Sequence, residues 1–152
     1  MTALLNVKNI DKSFGRLNAN KNISFDVASG EIVAILGENG AGKTTLMNII
    51  FGHYVADSGL INFNGNELKA GDTKAAIDAG IGMVHQHFTL AENLTVLENI
   101  LVGTQPLYQP RLSERKAKEK LKYLATEFGL ELSPQQLVRN LSVGEKQRLE
   151  IL

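Results

Sequence analysis

Nine consecutive residues, Gly37-Glu38-Asn39-Gly40-Ala41-Gly42-Lys43-Thr44-Thr45, contain the pattern G-x-x-x-x-G-K-[ST]. Each residue type in it has a chemical reason. Glycines let the backbone wrap closely and turn successive N–H groups inward onto phosphate oxygens. A helix starting at the loop aims the positive end of its dipole at the same anion. Lys43 can bridge β- and γ-phosphates, and the Thr44 hydroxyl can ligate Mg²⁺. Average residue usage gives a chance match on the order of once in a few hundred chains of this length. A strand before the loop and a helix after it would separate nucleotide binding from coincidence.

The flanking sequence predicts that context. Glu31 to Leu36 holds the run Ile-Val-Ala-Ile-Leu, which reads as a strand covered on both faces, as in a parallel sheet. After the loop, Leu46, Ile49 and Ile50 share one helix face, with Gly52 near the helix end. Upstream, Leu5, Val7 and Asn9, and then Ile23 to Val27, alternate as half-buried strands, and Ser29-Gly30 is a turn. Downstream come a turn at Asp57-Ser58-Gly59, a short strand from Leu60 to Phe63, and a tight turn at Asn64-Gly65. A second helix is expected over Thr73 to Ala79, with Ala76, Ile77 and Ala79 as its apolar face and Gly80 ending it. Ile81 to Val84 reads as another buried strand. Ala117, Leu121, Leu124, Ala125 and Phe128 then fall on one helical face, with Gly129 as C-terminal cap. The lysines between them form a solvated face rather than a nucleic-acid patch. Ser133-Pro134-Gln135-Gln136 carries a capping box for one more helix.

Composition narrows the class. The chain has 152 residues, one domain's worth, with 16 basic and 16 acidic side chains and a formal charge of zero. A neutral chain does not hold nucleic acid by net charge. With 43% hydrophobic residues a packed core is expected. The absence of cysteine excludes disulfides, thiol catalysis and Cys-based zinc sites. The start, Met1-Thr-Ala-Leu-Leu, lacks the pattern of a secretory signal, and no apolar run approaches the ~20 residues that span a bilayer.

A second anion site is readable in Leu141-Ser142-Val143-Gly144-Glu145-Lys146-Gln147-Arg148: a serine hydroxyl, a glycine N–H and a helix start converge there. Together with the Gly37 to Thr45 loop, this stretch resembles the ATP-binding cassette (ABC) ATPases, whose signature reads approximately L-S-G-G-[QE]-[KRQ]-Q-R. Val143 replaces the first signature glycine, while Ser142 and Gly144 are in place. The resemblance implies that Ser142 and Gly144 cap the γ-phosphate of ATP held by the loop of a second subunit. It implies that Phe14 stacks on adenine, for which a ring face suffices. It implies that Gln86 touches Mg²⁺ or the attacking water and reports nucleotide state to a partner domain. As residues alone, Phe14 also reads as a core aromatic at a strand end, and Gln86 as a polar strand-end residue. His85 and His87 flank Gln86 without cysteine or a carboxylate cluster, a poor ligand set, and are taken as loop residues. Val84 to Ile100 resembles the corresponding region of simple-sugar and nucleoside importer ATPases, the nucleoside type more closely.

The resemblance implies an α/β fold: a P-loop NTPase core (1–89) with an N-terminal antiparallel β portion, a helical subdomain (90–140), and the signature with the start of its helix (141–152). It implies ATP and Mg²⁺ as cofactors, with Lys43 and Gln86 catalytic, and Thr44 and Gln86 on the metal. The implied function is the energy-coupling subunit of an importer, cytoplasmic and peripheral on the membrane's inner face. Implied partners are a second cassette, transmembrane permease subunits and, indirectly, an extracytoplasmic solute-binding protein, with no nucleic acid. Two alternatives remain: a non-transport ABC ATPase, against which the short stretch between Gln86 and Ser142 argues because it has no room for sustained heptads, and a catalytically inert nucleotide-binding or dimerising piece. A dinucleotide-binding dehydrogenase would lack the Gly-Lys-Thr ending.

The family's strand ending in Asp-Glu, which holds Mg²⁺ and orients water, is not found before Leu152. The expectation is therefore a piece of a longer ATPase, its sheet incomplete, rearranged or completed by another copy. This chain should bind ATP and turn over negligibly, because the water-orienting carboxylate carries orders of magnitude in rate. Phosphate release well above background, abolished by Lys43→Ala, would overturn that expectation.

Overall fold

The computed structural model describes residues 3–85, 88–102, 114–127 and 132–151. The chain divides into two compact units, residues 1–83 and 84–152.

The first unit is built on a four-stranded antiparallel sheet of order β2-β1-β3-β4. Its strands are β1 (Leu5–Phe14), β2 (Leu17–Val27), β3 (Ser58–Phe63) and β4 (Asn66–Glu67). The β1–β2 pairing slips between Val7 and Ile10, so the long hairpin bends rather than running flat. Asparagine tolerates left-handed backbone, and Asn9 and Asn22 both adopt it at this bend, joined by a 2.7 Å side-chain hydrogen bond. Asn64 and Gly65, both at positive φ, make the tight turn between β3 and β4.

Two helices accompany the sheet. Helix α1 (Lys43–Ile50) buries Leu46, Ile49 and Ile50 against Val7, Ile10 and Ile61 of the strands, which forms this unit's core. Helix α2 (Thr73–Ala79) begins at Asp72, whose carboxylate accepts from the Ala75 N–H, and ends at a left-handed Gly80. Of its expected apolar face only Ala76 is buried, and Ile77 is 56% exposed. A seven-residue helix can seat little more than one side chain per turn, and the small one fits closest.

Three segments of this unit depart from the expectation. Ser58 and Gly59 belong to β3 rather than to a turn, because β3 runs on to pair Ser58 with Asp11. Glu31 to Leu36 and Ile81 to Val84 form no strand. A strand exists only when a neighbour completes its ladder, and among the described residues nothing pairs with either run. The first run nevertheless keeps a period of two. Val33 and Ile35 line a hollow of about 380 Å³ with Phe25, Met47 and Ile50, while Ile32 and Leu36 are 96% and 91% exposed.

The second unit is helical: α3 (Val96–Val102), α4 (Glu114–Glu127), a 3-10 turn at Val138–Asn140 and α5 (Val143–Ile151). Val96, Leu97, Leu121, Val138, Leu141 and Leu149 form its core. Leu121 is buried as the helical spacing requires, whereas Phe128 and Gly129 lie outside the described residues. The helix expected from the capping box at Ser133 does not form. Its backbone is committed elsewhere: the Pro134 and Gln136 carbonyls accept from the Leu97 and Val96 N–H groups, and the Val138 N–H donates to the Leu94 carbonyl. Thr95 and Leu137 make a short antiparallel bridge as a result. Among the described residues no helix is long and apolar enough to cross a membrane.

In denaturant unfolding of this chain, Ile10→Ala should cost about 2–4 kcal/mol because it opens a cavity in the sheet–helix core. Ile32→Lys should change stability by less than about 0.5 kcal/mol. A large loss from the lysine would mean that the Ile32 to Leu36 run is buried.

Candidate functional site

The glycine loop enters α1 through Gly42, which sits at φ 83°. A Cβ there would lie 1.9 Å from the Ala19 carbonyl oxygen, so only glycine fits against β2. No side chain caps this helix start, and its first turn has no acidic residue. Three other helix starts are each served by a carboxylate of the chain itself: Asp72 on α2, Glu98 on α3 and Glu145 on α5. Among the α-helix starts whose caps are described, α1 alone has no carboxylate of the chain at its N–H groups, and such a start favours an external anion.

Lys43 reaches back over the loop, its Nζ donating to the Gly37 carbonyl at 2.5 Å and the Glu38 carbonyl at 2.7 Å. The Ala41 N–H donates to the Glu38 carbonyl at 3.2 Å, closing the turn. Thr44 is exposed in the first helical turn. An ammonium, left-handed Gly40 and Gly42, and a helix start with no side-chain cap are features that suit a polyphosphate. Behind the loop, buried Asn20 of β2 donates from Nδ2 to the Gly42 carbonyl at 3.2 Å.

Phe14 ends β1 in the same unit and is 47% exposed. Its ring meets Tyr54 edge-on with centroids 5.7 Å apart, and Lys12 Nζ stands 5.3 Å from its centroid. Asp57 fixes that lysine, with Oδ1 2.8 Å from Nζ while Oδ2 accepts from the Ser13 N–H at 2.7 Å. The Lys12 ammonium, then the Ser13 N–H, lowers the Asp57 carboxyl below its ordinary value. The ring of Phe14 is therefore a braced, half-open surface rather than a core residue.

In the second unit Ser142 starts α5 in a reciprocal capping box. Its Oγ donates to Glu145 Oε2 at 2.6 Å and accepts from the Glu145 N–H at 3.3 Å, and its N–H donates to the same carboxylate at 2.8 Å. The anion on Ser142 is thus the chain's own Glu145. Lys146 pairs with Glu92 at 2.6 Å. Gly144 follows within the first turn of α5.

Sequence reasoning missed Asn20, the Lys12–Asp57–Tyr54 brace and the role of Glu145. The last was detectable, since Ser142-x-x-Glu145 is itself a capping-box pattern. Gln86 and His87 lie outside the described residues. Among the described residues no group of three or more His, Asp or Glu could hold a metal ion.

Residues 20–152 match the family described as ABC transporter. The chain is 42% identical over 152 residues to the guanosine import ATP-binding protein NupO of Bacillus subtilis, covering 100% of itself and 30% of that protein. It is 39% identical over 152 residues to the ribose import ATP-binding protein RbsA of Clostridium perfringens, covering 99% of itself and 30% of that protein. Among solved structures, an ATP-binding cassette of an ABC transporter superposes with TM-score 0.85 at 29% identity, over 99% of this chain and 64% of the other. The chain thus spans about a third of the length of these curated relatives and about two thirds of that cassette.

The capping box at Ser142 makes α5 sensitive to acid. Bonds from Ser142 hold the Glu145 carboxyl below its ordinary value, so its stabilisation is complete above that value and lost as pH falls through the lowered one. In amide exchange, α5 should be less protected in Glu145→Ala than in the wild type at pH 7, and the difference should shrink below about pH 4. A pH-independent difference would mean that the carboxylate does not cap this helix.

Proposed function

This chain belongs to the ABC transporter family, and on that premise we propose that its Gly37 to Thr45 loop binds Mg²⁺·ATP as the energy-coupling part of an importer for nucleosides or simple sugars. The observation that carries the reading is the start of α1, where uncapped amides and the Lys43 ammonium converge without a carboxylate. The relatives' names support the importer class, with nucleoside and sugar cargo each represented.

The chain's own residues would act as follows. Gly37, Glu38, Asn39, Gly40, Ala41 and Gly42 present backbone to the phosphates, and Lys43 exchanges the Gly37 and Glu38 carbonyls for β- and γ-phosphate oxygens. The Thr44 and Thr45 amides at the helix start would donate to the same anion, and the Thr44 hydroxyl would hold Mg²⁺. When bound, the metal neutralises charge that develops on the phosphate oxygens. Phe14 offers its ring to the base, braced by Tyr54 and Lys12. Gln86 would touch the metal or the attacking water. Ser142 and Gly144 would cap the γ-phosphate held by a second cassette, with Glu145 yielding the serine hydroxyl. The whole protein would hydrolyse ATP on the inner face of the membrane, docked on permease subunits that an extracytoplasmic binding protein supplies.

Calorimetric titration tests the core of this reading. Wild-type chain should bind Mg²⁺·ATP, and Lys43→Ala should weaken it roughly 10–100-fold, the worth of a charge-assisted bond. Phe14→Ala should weaken ATP but leave inorganic triphosphate unaffected. Folded wild-type chain that takes up no ATP would refute the proposal.

A further inference from the structure

We propose that Asn20 is a positioning residue of the phosphate loop, its buried amide holding the Gly42 carbonyl and with it the left-handed turn that opens α1. The inference rests on the reading that this loop binds a triphosphate. Three observations carry it.

First, Asn20 is 6% exposed and is the only buried position of the eleven-residue β2. On an amphipathic strand such a position normally goes to an aliphatic side chain, which would pack without any polar atom to satisfy. Second, the asparagine is only half satisfied. Nδ2 donates to Gly42, whereas Oδ1 is buried without a hydrogen-bond partner. A buried orphaned oxygen destabilises a fold, so a purely structural optimum would not keep it. Third, the bond lands where the loop becomes helix. The Gly42 carbonyl already accepts from the Leu46 N–H at 2.9 Å, closing the first turn of α1. Strand and loop meet there without slack, since a Cβ on Gly42 would also fall 2.9 Å from Asn20 Nδ2.

Together these fix the direction in which the first amides of α1 point. The Gly42 carbonyl is held from one side by its own helix and from the other by β2. The Gly42 carbonyl and the Lys43 N–H share one planar peptide, so rotation of that plane would swing the Lys43 N–H off the phosphates. Asn20 touches no substrate in this arrangement and acts through Gly42.

The test separates positioning from plain packing by reading stability and affinity together in the full chain. Asn20→Leu keeps the count and branching of the side chain's heavy atoms and removes both polar atoms. Its thermal midpoint should hold or rise, while its Kd for Mg²⁺·ATP and for inorganic triphosphate rises about tenfold and that for adenosine stays unchanged. Asn20→Asp sets an oxygen against the Gly42 carbonyl and should weaken triphosphate binding further. Unchanged triphosphate affinity in a folded Asn20→Leu, or a loss of affinity that only follows a loss of stability, would overturn the proposal. If Asn20→Leu does not fold, Asn20→Ala is read by the same measurements, and a wild-type Kd in it overturns the proposal too. Lys43→Ala is the control for the underlying reading: if wild-type chain fails to bind triphosphate at all, it is the nucleotide site that falls and not the role of Asn20 alone.

Discussion

A helix start needs negative charge or hydrogen-bond acceptors for its first N–H groups, and the site depends on how this chain meets that need. Asp72, Glu98 and Glu145 meet it from within for α2, α3 and α5. At α1 the chain instead places left-handed glycines before the helix and a lysine across them. A carboxylate there would repel phosphate. The surroundings follow from that choice: Gly42 must lie against β2, β2 must be held by β1, and the sheet must bury α1 to keep the loop at a fixed height.

The antiparallel sheet therefore acts as a bracket. Its β1–β2 hairpin reaches the loop at Asn20 and Gly42 and carries Phe14 at its turn. Leu46, Ile49 and Ile50 tie the other side of the loop to Val7, Ile10 and Ile61. The glycine loop and Phe14 are in this way parts of one folded unit, anchored on a common core.

What could be read from sequence was what local rules decide. The loop, α1, the Asn64-Gly65 turn and the limits of α2 follow from glycine placement, caps and short-range periodicity. Glu31 to Leu36 forms no strand because strand identity belongs to a pair of segments, and in place of the expected burial on both faces only Val33 and Ile35 turn towards a hollow. Capping boxes were ambiguous for a similar reason. Thr95 with Glu98 and Ser142 with Glu145 close as boxes, whereas at Ser133 the carbonyls of Pro134 and Gln136 are taken by α3. Asn20 left no signal, since a polar residue on a strand is ordinarily taken as solvent-facing.

Lys43 rests with its ammonium on two carbonyls of its own loop. Its long side chain has already surrendered most of its rotamer freedom, and part of its hydration shell has been replaced by fixed dipoles. A phosphate arriving there meets a cation that is already ordered, so preorganisation achieved during folding lowers the entropic penalty of association. The same two carbonyls tie the ammonium to the loop's own backbone, so the position of the charge is set by the fold.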